Sequence, residues 1–186
     1  MSIRLLHRFS VDDYHRMAEI GLIAPDARVE LLEGVIIDMM PIGPFHGGTV
    51  KKLSSMLFKS PSDEWIVATQ DPIHLGPKSE PVPDIALLKP RSDFYFESHP
   101  VAADVLLLVE VADSSLERDR EDKLPIYARA GICEVWIVNL PEQQIEIYRE
   151  PNAAGYTNVC IARDEDIVSP VEIPAISFSV ARLMKR

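Results

Sequence analysis

Two carboxylates stand at the ends of apolar segments, where they could bind a cation. Glu110 follows the aliphatic run "VLLLV", which predicts a strand that is buried on both faces. A buried and unpaired carboxylate is unfavourable or takes up a proton, so Glu110 requires compensation. It is either a solvated group at the carboxyl end of the strand, where it could cap nearby serines, or a metal ligand at the mouth of a sheet.

The second carboxylate is Asp84, in the segment "SEPVPDIALL". Taken alone, it is typical of a turn aspartate that bonds to its own backbone. Pro83, which cannot donate a ladder hydrogen bond, favours the start of a strand here. If this strand lies antiparallel to the one that ends near Glu110, as consecutive strands often do, the two carboxylates converge. Such an oxygen pair suits Mg²⁺, which completes its shell with water and substrate phosphate.

The segment "DREDK" places Asp119 and Lys123 four residues apart on a predicted helix. For Asp119 the favoured interpretation is a solvated acid-base pair with this lysine, worth about 0.2–0.5 kcal/mol. Lys123 shares its helix face with Tyr127, and its long side chain could reach back towards Glu110. There it could hold an attacking water or offset the charge of a phosphate transition state.

Short motifs along nearly the whole chain carry a family resemblance. In order they read "RVELLEG", "PFH", "VPDIAL", "VEVADSS", "DREDK", "YARAGICEVWIVN" and "IEIY". Together they resemble the Uma-type family of bacterial endonucleases, in the PD-(D/E)XK nuclease superfamily. The specificity lies in the ordered set, which runs from Glu30 to the last predicted strand. The resemblance implies a restriction-endonuclease-like core and phosphodiester hydrolysis assisted by Mg²⁺ or Mn²⁺, with Asp84 and Glu110 as the metal-binding acids.

The chain departs from the superfamily pattern at Ala112, where a catalytic lysine is expected two residues after the acid. The resemblance implies that the lysine has moved to the following helix, at Lys123. It also implies site roles for Glu30 in the first hairpin and His46 at the start of the next helix. Glu30 could complete the metal shell or hold Lys123, and His46 is equally compatible with a structural role at the helix start. Glu33, beside a glycine, is expected in the turn.

Local signals predict the elements that position these residues. Ser10 and Asp13 form a capping box for a short helix that stops near Gly21. "RVELLEGVIIDMMP" predicts a β-hairpin, and residues 46–59 predict a second helix. Strands follow in "WIVATQDPIHL", "DIALLKP" and "VLLLVEV".

A helix is predicted over residues 116–130, opened by Ser114 or Ser115 and closed by Gly131. Three more strands are predicted in "EVWIVNL", "QQIEIYREP" and "YTNVCIA", and "AISFSVARLM" adds a short terminal helix. A helix between two buried strands indicates a crossover. The expected fold is therefore α/β: a mixed central β-sheet flanked by helices, with an N-terminal helix and β-hairpin.

Composition bounds the protein class. At 186 residues, with 47% hydrophobic and 26% charged residues, the chain fits one globular domain over residues 1–186. It has no membrane-spanning run of about 18 apolar residues and no signal-peptide pattern, which predicts a cytoplasmic protein without membrane contact. Cys133 and Cys160 lie singly in apolar surroundings, so both are expected to be buried thiols.

Several other groups receive no role in chemistry. The chain lacks a glycine-rich phosphate loop and a G-x-S-x-G elbow, which disfavours nucleotide binding and serine hydrolysis. Three aromatic residues are expected to be core or half-buried side chains and not stacking platforms: Trp136, Tyr127 and Tyr148. Four histidines show no metal-ligand spacing and are assigned no role: His7, His15, His74 and His99.

The net charge of −10 argues against a broad basic surface for nucleic acid, so any contact with DNA must be local. The leading hypothesis is a metal-dependent DNA endonuclease, which by analogy could act as a homodimer. The alternative is a catalytically inactive nuclease-fold module for nucleic-acid or protein interaction, favoured by the acidic balance and by the absence of a lysine at position 112.

Overall fold

The computed structural model describes residues 6–59 and 63–185, and it begins with a capped helix and a hairpin. Helix α1 spans Val11–Glu19, and the predicted capping box is present, because Ser10 and Asp13 each accept the main-chain N–H of the other. Strands β1 (Val29–Leu32) and β2 (Val35–Asp38) pair antiparallel. Gly34 turns between them at φ +77°, and a side chain there would meet the backbone of Phe9 at 2.8 Å, so the turn requires glycine.

Six strands form the central sheet, in the same order in space as in the chain. They are β3 (Ile66–Thr69), β4 (Ile85–Leu88), β5 (Val105–Ala112), β6 (Glu134–Asn139), β7 (Gln144–Asn152) and β8 (Gly155–Arg163). Only β5 and β6 run parallel; the other neighbouring pairs are antiparallel. The predicted mixed sheet is therefore confirmed. Every residue of β5 is buried, as expected for an aliphatic strand covered on both faces.

Helices cover both faces of this sheet. Helix α2 (Pro44–Phe58) packs on one face with the C-terminal helix α5 (Val180–Met184), which follows the short strand pair β9 (Ile167–Val168) and β10 (Phe178–Ser179). A helical segment covers the other face and connects the parallel strands β5 and β6. Among the described residues, no helix combines the length and the apolar composition that crossing a membrane requires.

The connecting segment is not a uniform helix. A short turn α3 (Leu116–Arg118) leads into a π-helical turn over Asp119–Lys123 and then into α4 (Leu124–Ala130). Gly131 ends the segment in the left-handed conformation at φ +83°, as predicted. Wide π-helical turns inside helices frequently occur at functional sites. This one consists of the segment "DREDK" and contains both Asp119 and Lys123.

Alternation along β5 determines which helices Glu110 can meet. Leu107, Val109 and Val111 pack in the apolar cluster beneath α2 and α5. Leu108 and Ala112 pack in the cluster beneath α4. Because side chains alternate between the two faces of a strand, Glu110 lies on the α4 face.

Both cysteines are exposed, which corrects the expectation of buried thiols. Cys160 lies on β8, the edge strand of the sheet, between Val159 and Ile161, which are 51% and 52% exposed. Cys133 lies just before β6, next to the exposed Gly131 end of α4. An apolar local sequence did not lead to burial here because the tertiary structure leaves these positions uncovered.

Candidate active site

Asp84 and Glu110 lie on adjacent strand ends. Strands β4 and β5 pair antiparallel with Ile85 opposite Val109, and extending this register by one residue brings Asp84 opposite Glu110. The main-chain N–H of Val111 donates a hydrogen bond of 2.8 Å to Asp84 Oδ2. The two carboxylates thus converge through the antiparallel pairing that was expected for these consecutive strands.

The two carboxylates line a cleft of about 160 Å³. The hairpin, the start of α2, the start of β4, the end of β5 and the π-helical turn all contribute to its walls. All five residues singled out in the sequence line this cleft: Glu30, His46, Asp84, Glu110 and Lys123. They come from five separate segments, so their proximity is a property of the fold.

Asp84 is held by three donors. His46, in the first turn of α2, places Nε2 2.9 Å from Asp84 Oδ2, and the Gln70 side-chain amide donates to Oδ1 at 3.3 Å. Burial favours the neutral acid, but the hydrogen bonds from His46, Val111 and Gln70 outweigh it and hold the pKa of Asp84 below its ordinary value. The bond to Asp84 in turn raises the pKa of His46, against the effect of burial. The pair therefore favours an ionised carboxylate.

Lys123 reaches back to the strands from the π-helical turn. Its Nζ lies 3.1 Å from Glu110 Oε1 and 3.2 Å from Glu30 Oε2. It also donates to the main-chain oxygen of Val82 at 3.3 Å. Burial opposes the charge, but the carboxylates of Glu110 and Glu30 raise the pKa of Lys123 above its ordinary value, so the ammonium persists. Glu30, on β1, is fixed by a 3.1 Å bond from the Val82 N–H.

The structure offers a reason for the absent lysine at position 112. Ala112 is completely buried and packs in the apolar cluster beneath α4, together with Leu124 and Tyr127. A long charged side chain at this position would have to enter that cluster. Lys123 brings an ammonium to the same face of the sheet from the covering helix instead.

Glu110 is 3% exposed, and its pKa is strongly altered. Burial raises its pKa to about 8, and the ammonium of Lys123 and the hydroxyl of Tyr127 act in the opposite direction. The Tyr127 hydroxyl donates to Glu110 Oε1 at 2.5 Å. Tyr127 is a core aromatic as expected, but its hydroxyl belongs to the site, a role that was not predicted from the sequence. Its position four residues after Lys123 was the available signal.

Asp119 is buried at 4% exposure, which corrects its interpretation as a solvated partner of Lys123. The hydroxyl of Ser115 donates to Asp119 Oδ2 at 2.7 Å, so this serine bonds the carboxylate instead of capping the helix through its side chain. Burial raises the pKa of Asp119, partly opposed by Lys123 and Ser115. Asp119 faces the cleft because the helical segment lies directly over the strand ends. The four-residue spacing of Asp119 and Lys123 in the sequence does not by itself predict this position.

The donor set fits a hard divalent cation. Five carboxylates line the cleft, against one ammonium, two guanidinium groups and one histidine: Glu30, Asp84, Glu110, Asp113 and Asp119. Within the described part of the chain, the hydrogen bonds to Glu110 all fall on Oε1, and Asp84 Oδ1 accepts only the long bond from Gln70. Each of these two acids thus retains an oxygen with free lone pairs. Mg²⁺ requires one or two such carboxylates.

Two arginines flank the acidic centre. Arg28 and Arg118 both line the cleft, and Arg118 is fixed by a 3.0 Å bond from its guanidinium to the main-chain oxygen of Asp38 in the hairpin. Guanidinium groups recognise phosphate oxygens well. They supply local positive charge on a protein whose net charge is −10.

Comparisons with known proteins agree with this architecture. The family described as "Uma2: Putative restriction endonuclease" matches residues 11–181, a range that includes every residue of the cleft. A solved structure from Anabaena variabilis ATCC 29413, described as a putative nuclease belonging to DUF820, is similar with a TM-score of 0.71 and 17% sequence identity. The alignment covers 95% of this chain and 97% of that chain, and at this identity it concerns the fold. No curated protein matches the sequence.

Proposed function

Because the chain belongs to the Uma2 family, whose description is "putative restriction endonuclease", we propose that it hydrolyses phosphodiester bonds in DNA with a divalent cation. The observation that carries this proposal is the position of Lys123, whose ammonium lies within 3.1–3.2 Å of two acids beside Asp84. A buried lysine among carboxylates at the mouth of a cleft can bind water or a phosphate oxygen.

Asp84 and Glu110 would hold Mg²⁺ or Mn²⁺ through the oxygens that carry no strong hydrogen bond. The bound ion would polarise the scissile phosphate and lower the pKa of a bound water. His46 is a positioning residue for Asp84. It bonds Oδ2, so that Oδ1 accepts only the weaker hydrogen bond from Gln70 and can bind the ion. Tyr127 acts similarly on Glu110 by occupying Oε1.

Lys123 would remain protonated and act as a hydrogen-bond donor in the site. An ammonium has three N–H donors, and two of them are engaged by Glu30 and the main-chain oxygen of Val82. The third bonds Glu110 Oε1, and a water or a phosphate oxygen would take the place of this carboxylate oxygen at the ammonium during the reaction. Glu30 therefore fixes the direction of the lysine and keeps it protonated.

The substrate would be held locally, at the rim of the cleft. Arg28 and Arg118 are suited to the phosphates on either side of the scissile bond. Because these contacts are few, binding should weaken with salt less steeply than that of a protein with a broad basic surface. A homodimer would bring two such clefts to the two strands of a duplex.

Cleavage of supercoiled plasmid in Mg²⁺ or Mn²⁺ tests the proposal. We expect wild-type protein to nick or linearise the plasmid, and Asp84→Asn and Lys123→Met to reduce the rate at least about 100-fold. Asp122→Asn is the matched control, since it removes one carboxylate from an exposed position of the same π-helical turn and should retain wild-type activity.

Circular dichroism should show that all variants are folded. Cleavage that continues unchanged in Asp84→Asn would contradict the assignment of the site. Folded wild-type protein that cleaves neither DNA nor RNA with either ion would favour the alternative of an inactive nuclease-fold module.

A further inference from the structure

A second cluster of potential ligands lies outside the cleft. His15 is on α1, Glu80 is in the segment before β4, and His99 is in the loop that precedes β5. One donor atom from each of these three side chains lies within 4.8 Å of the other two. The separations along the chain are 65 and 19 residues, which explains why no ligand spacing is recognisable in the sequence.

Direct contacts define the cluster. His15 Nε2 lies 2.7 Å from Glu80 Oε1, and the rings of His15 and His99 have their centroids 6.1 Å apart. His74 lies on the other side of the carboxylate, with Nδ1 3.5 Å from Glu80 Oε2. The four side chains line one surface pocket, so a cation can enter from solvent. Three of the five histidines of the chain thus surround a single glutamate.

Glu80 is not a surface carboxylate. It is only 3% exposed, and its Oε2 is fully buried and makes no hydrogen bond, with His74 Nδ1 3.5 Å away. Burying an acceptor without a partner is unfavourable, and native structures rarely do so without a ligand, a water or an ion. The main chain of Glu80 is fixed by two bonds to Leu31 of β1, at 2.8 and 3.4 Å, so the carboxylate is held in place. This oxygen is an independent indication that the cluster takes a ligand.

We propose that His15, Glu80 and His99 bind a zinc ion. Two imidazole nitrogens and one carboxylate oxygen form a ligand set that zinc accepts, with water in the fourth position. Tetrahedral bonds of about 2.0–2.2 Å need donor atoms somewhat more than 3 Å apart, which rotation of the accessible imidazoles can provide. His74 contacts the same carboxylate and would orient it. A hard ion such as Mg²⁺ is disfavoured by the two nitrogen donors.

The zinc ion would connect three segments that are distant in the chain. It would tie α1 and the loop before β5 to the segment that pairs with β1. Leu31, which bonds the Glu80 main chain, follows Glu30 directly. The site would therefore stabilise the strand that carries Glu30, without taking part in the proposed reaction.

Zinc binding to the tag-free, EDTA-treated full chain tests the proposal, with calorimetry and Co²⁺ absorption as readouts independent of nuclease activity. We expect one equivalent to bind wild-type protein. His15→Ala and His99→Ala should each weaken zinc affinity at least about 10-fold, since even outer groups of metal sites have effects of this size. His7→Ala removes a histidine outside the cluster, paired with Phe9, and is the matched control.

Asp84→Asn separates this site from the cleft, because it should retain the high-affinity equivalent. Zinc should raise the melting temperature of wild type and His7→Ala but not that of His99→Ala, whose accessible side chain can be removed without unfolding the protein. The proposal is overturned if wild-type protein binds no zinc, or if affinity falls in Asp84→Asn and not in the histidine variants.

Discussion

The buried ammonium of Lys123 makes the sharpest prediction about stability. Lys123 is 5% exposed and contacts two carboxylates that are 1% and 3% exposed, those of Glu30 and Glu110. Lys123→Met keeps the approximate length of the side chain and removes the ammonium, that is, its charge and its hydrogen bonds. It leaves two acids uncompensated in the interior.

Removing one partner of a buried ion pair destabilises a protein by about 3–5 kcal/mol. We expect the lower end of this range at pH 7, because burial already raises the pKa of Glu110 to about 8 and the acid can take up a proton. Urea denaturation in EDTA, followed by circular dichroism, gives the free energy of unfolding. Lys51→Met, which removes a lysine from an exposed position of α2, should stay within about 0.5 kcal/mol of wild type.

Two further measurements separate charge from packing. The double variant Glu30→Gln/Lys123→Met should be more stable than the sum of the two single changes predicts, by about 0.5–3 kcal/mol, because the two side chains interact directly. Mg²⁺ should stabilise Lys123→Met more than it stabilises wild type, since a cation can replace the ammonium. A loss below about 1 kcal/mol for Lys123→Met in EDTA would refute the electrostatic account of the site.

Three other predictions concern single side chains. Tyr127→Phe removes a buried donor to Glu110, so the free energy of unfolding in urea should fall by about 1.5–3 kcal/mol. Glu146→Gln removes a carboxylate whose pKa lies below its ordinary value, because hydrogen bonds from four side chains outweigh burial. Its contribution is present above the unfolded pKa of 4.5 and is lost as the pH falls, so the stability difference between Glu146→Gln and wild type should shrink from pH 7 to pH 3. Cys133 and Cys160 should both react with a thiol reagent in native protein, because both are exposed.

Specific outcomes would contradict these three expectations. Unchanged stability of Tyr127→Phe would mean that its hydroxyl does not bond the acid. A stability difference for Glu146→Gln that is constant with pH would show that this carboxylate has no lowered pKa. Thiols that react only after denaturation would restore the expectation of buried cysteines.

Local chemistry predicted most of the elements, but not the π-helical turn inside the predicted helix over residues 116–130 or the short strands β9 and β10. The box between Ser10 and Asp13, the turn at Gly34 and the helix end at Gly131 depend on backbone conformation and on hydrogen bonds within a few residues. The aliphatic run before Glu110 similarly predicted a strand buried on both faces. These features could be predicted from the sequence because each depends only on residues that are close in the chain.

The sequence predicted only part of the cleft, because the contacts of the cleft join segments that are distant in the chain. The antiparallel pairing of β4 and β5 could be expected for consecutive strands, and it brings Asp84 towards Glu110. Burial of Asp119 and the role of the Tyr127 hydroxyl could not be expected, since both depend on where the connecting helix lies over the sheet.

The sequence by itself determined where the acids, the lysine and the strand ends lie along the chain. The tertiary structure decided that Lys123 meets Glu30 and Glu110, which requires the hairpin, the sheet and the π-helical turn to meet. It also decided that histidines without any spacing pattern surround Glu80. The physical reason is that hydrogen bonds and periodicity act over a few residues, whereas burial and electrostatic compensation depend on which distant segments share one interior.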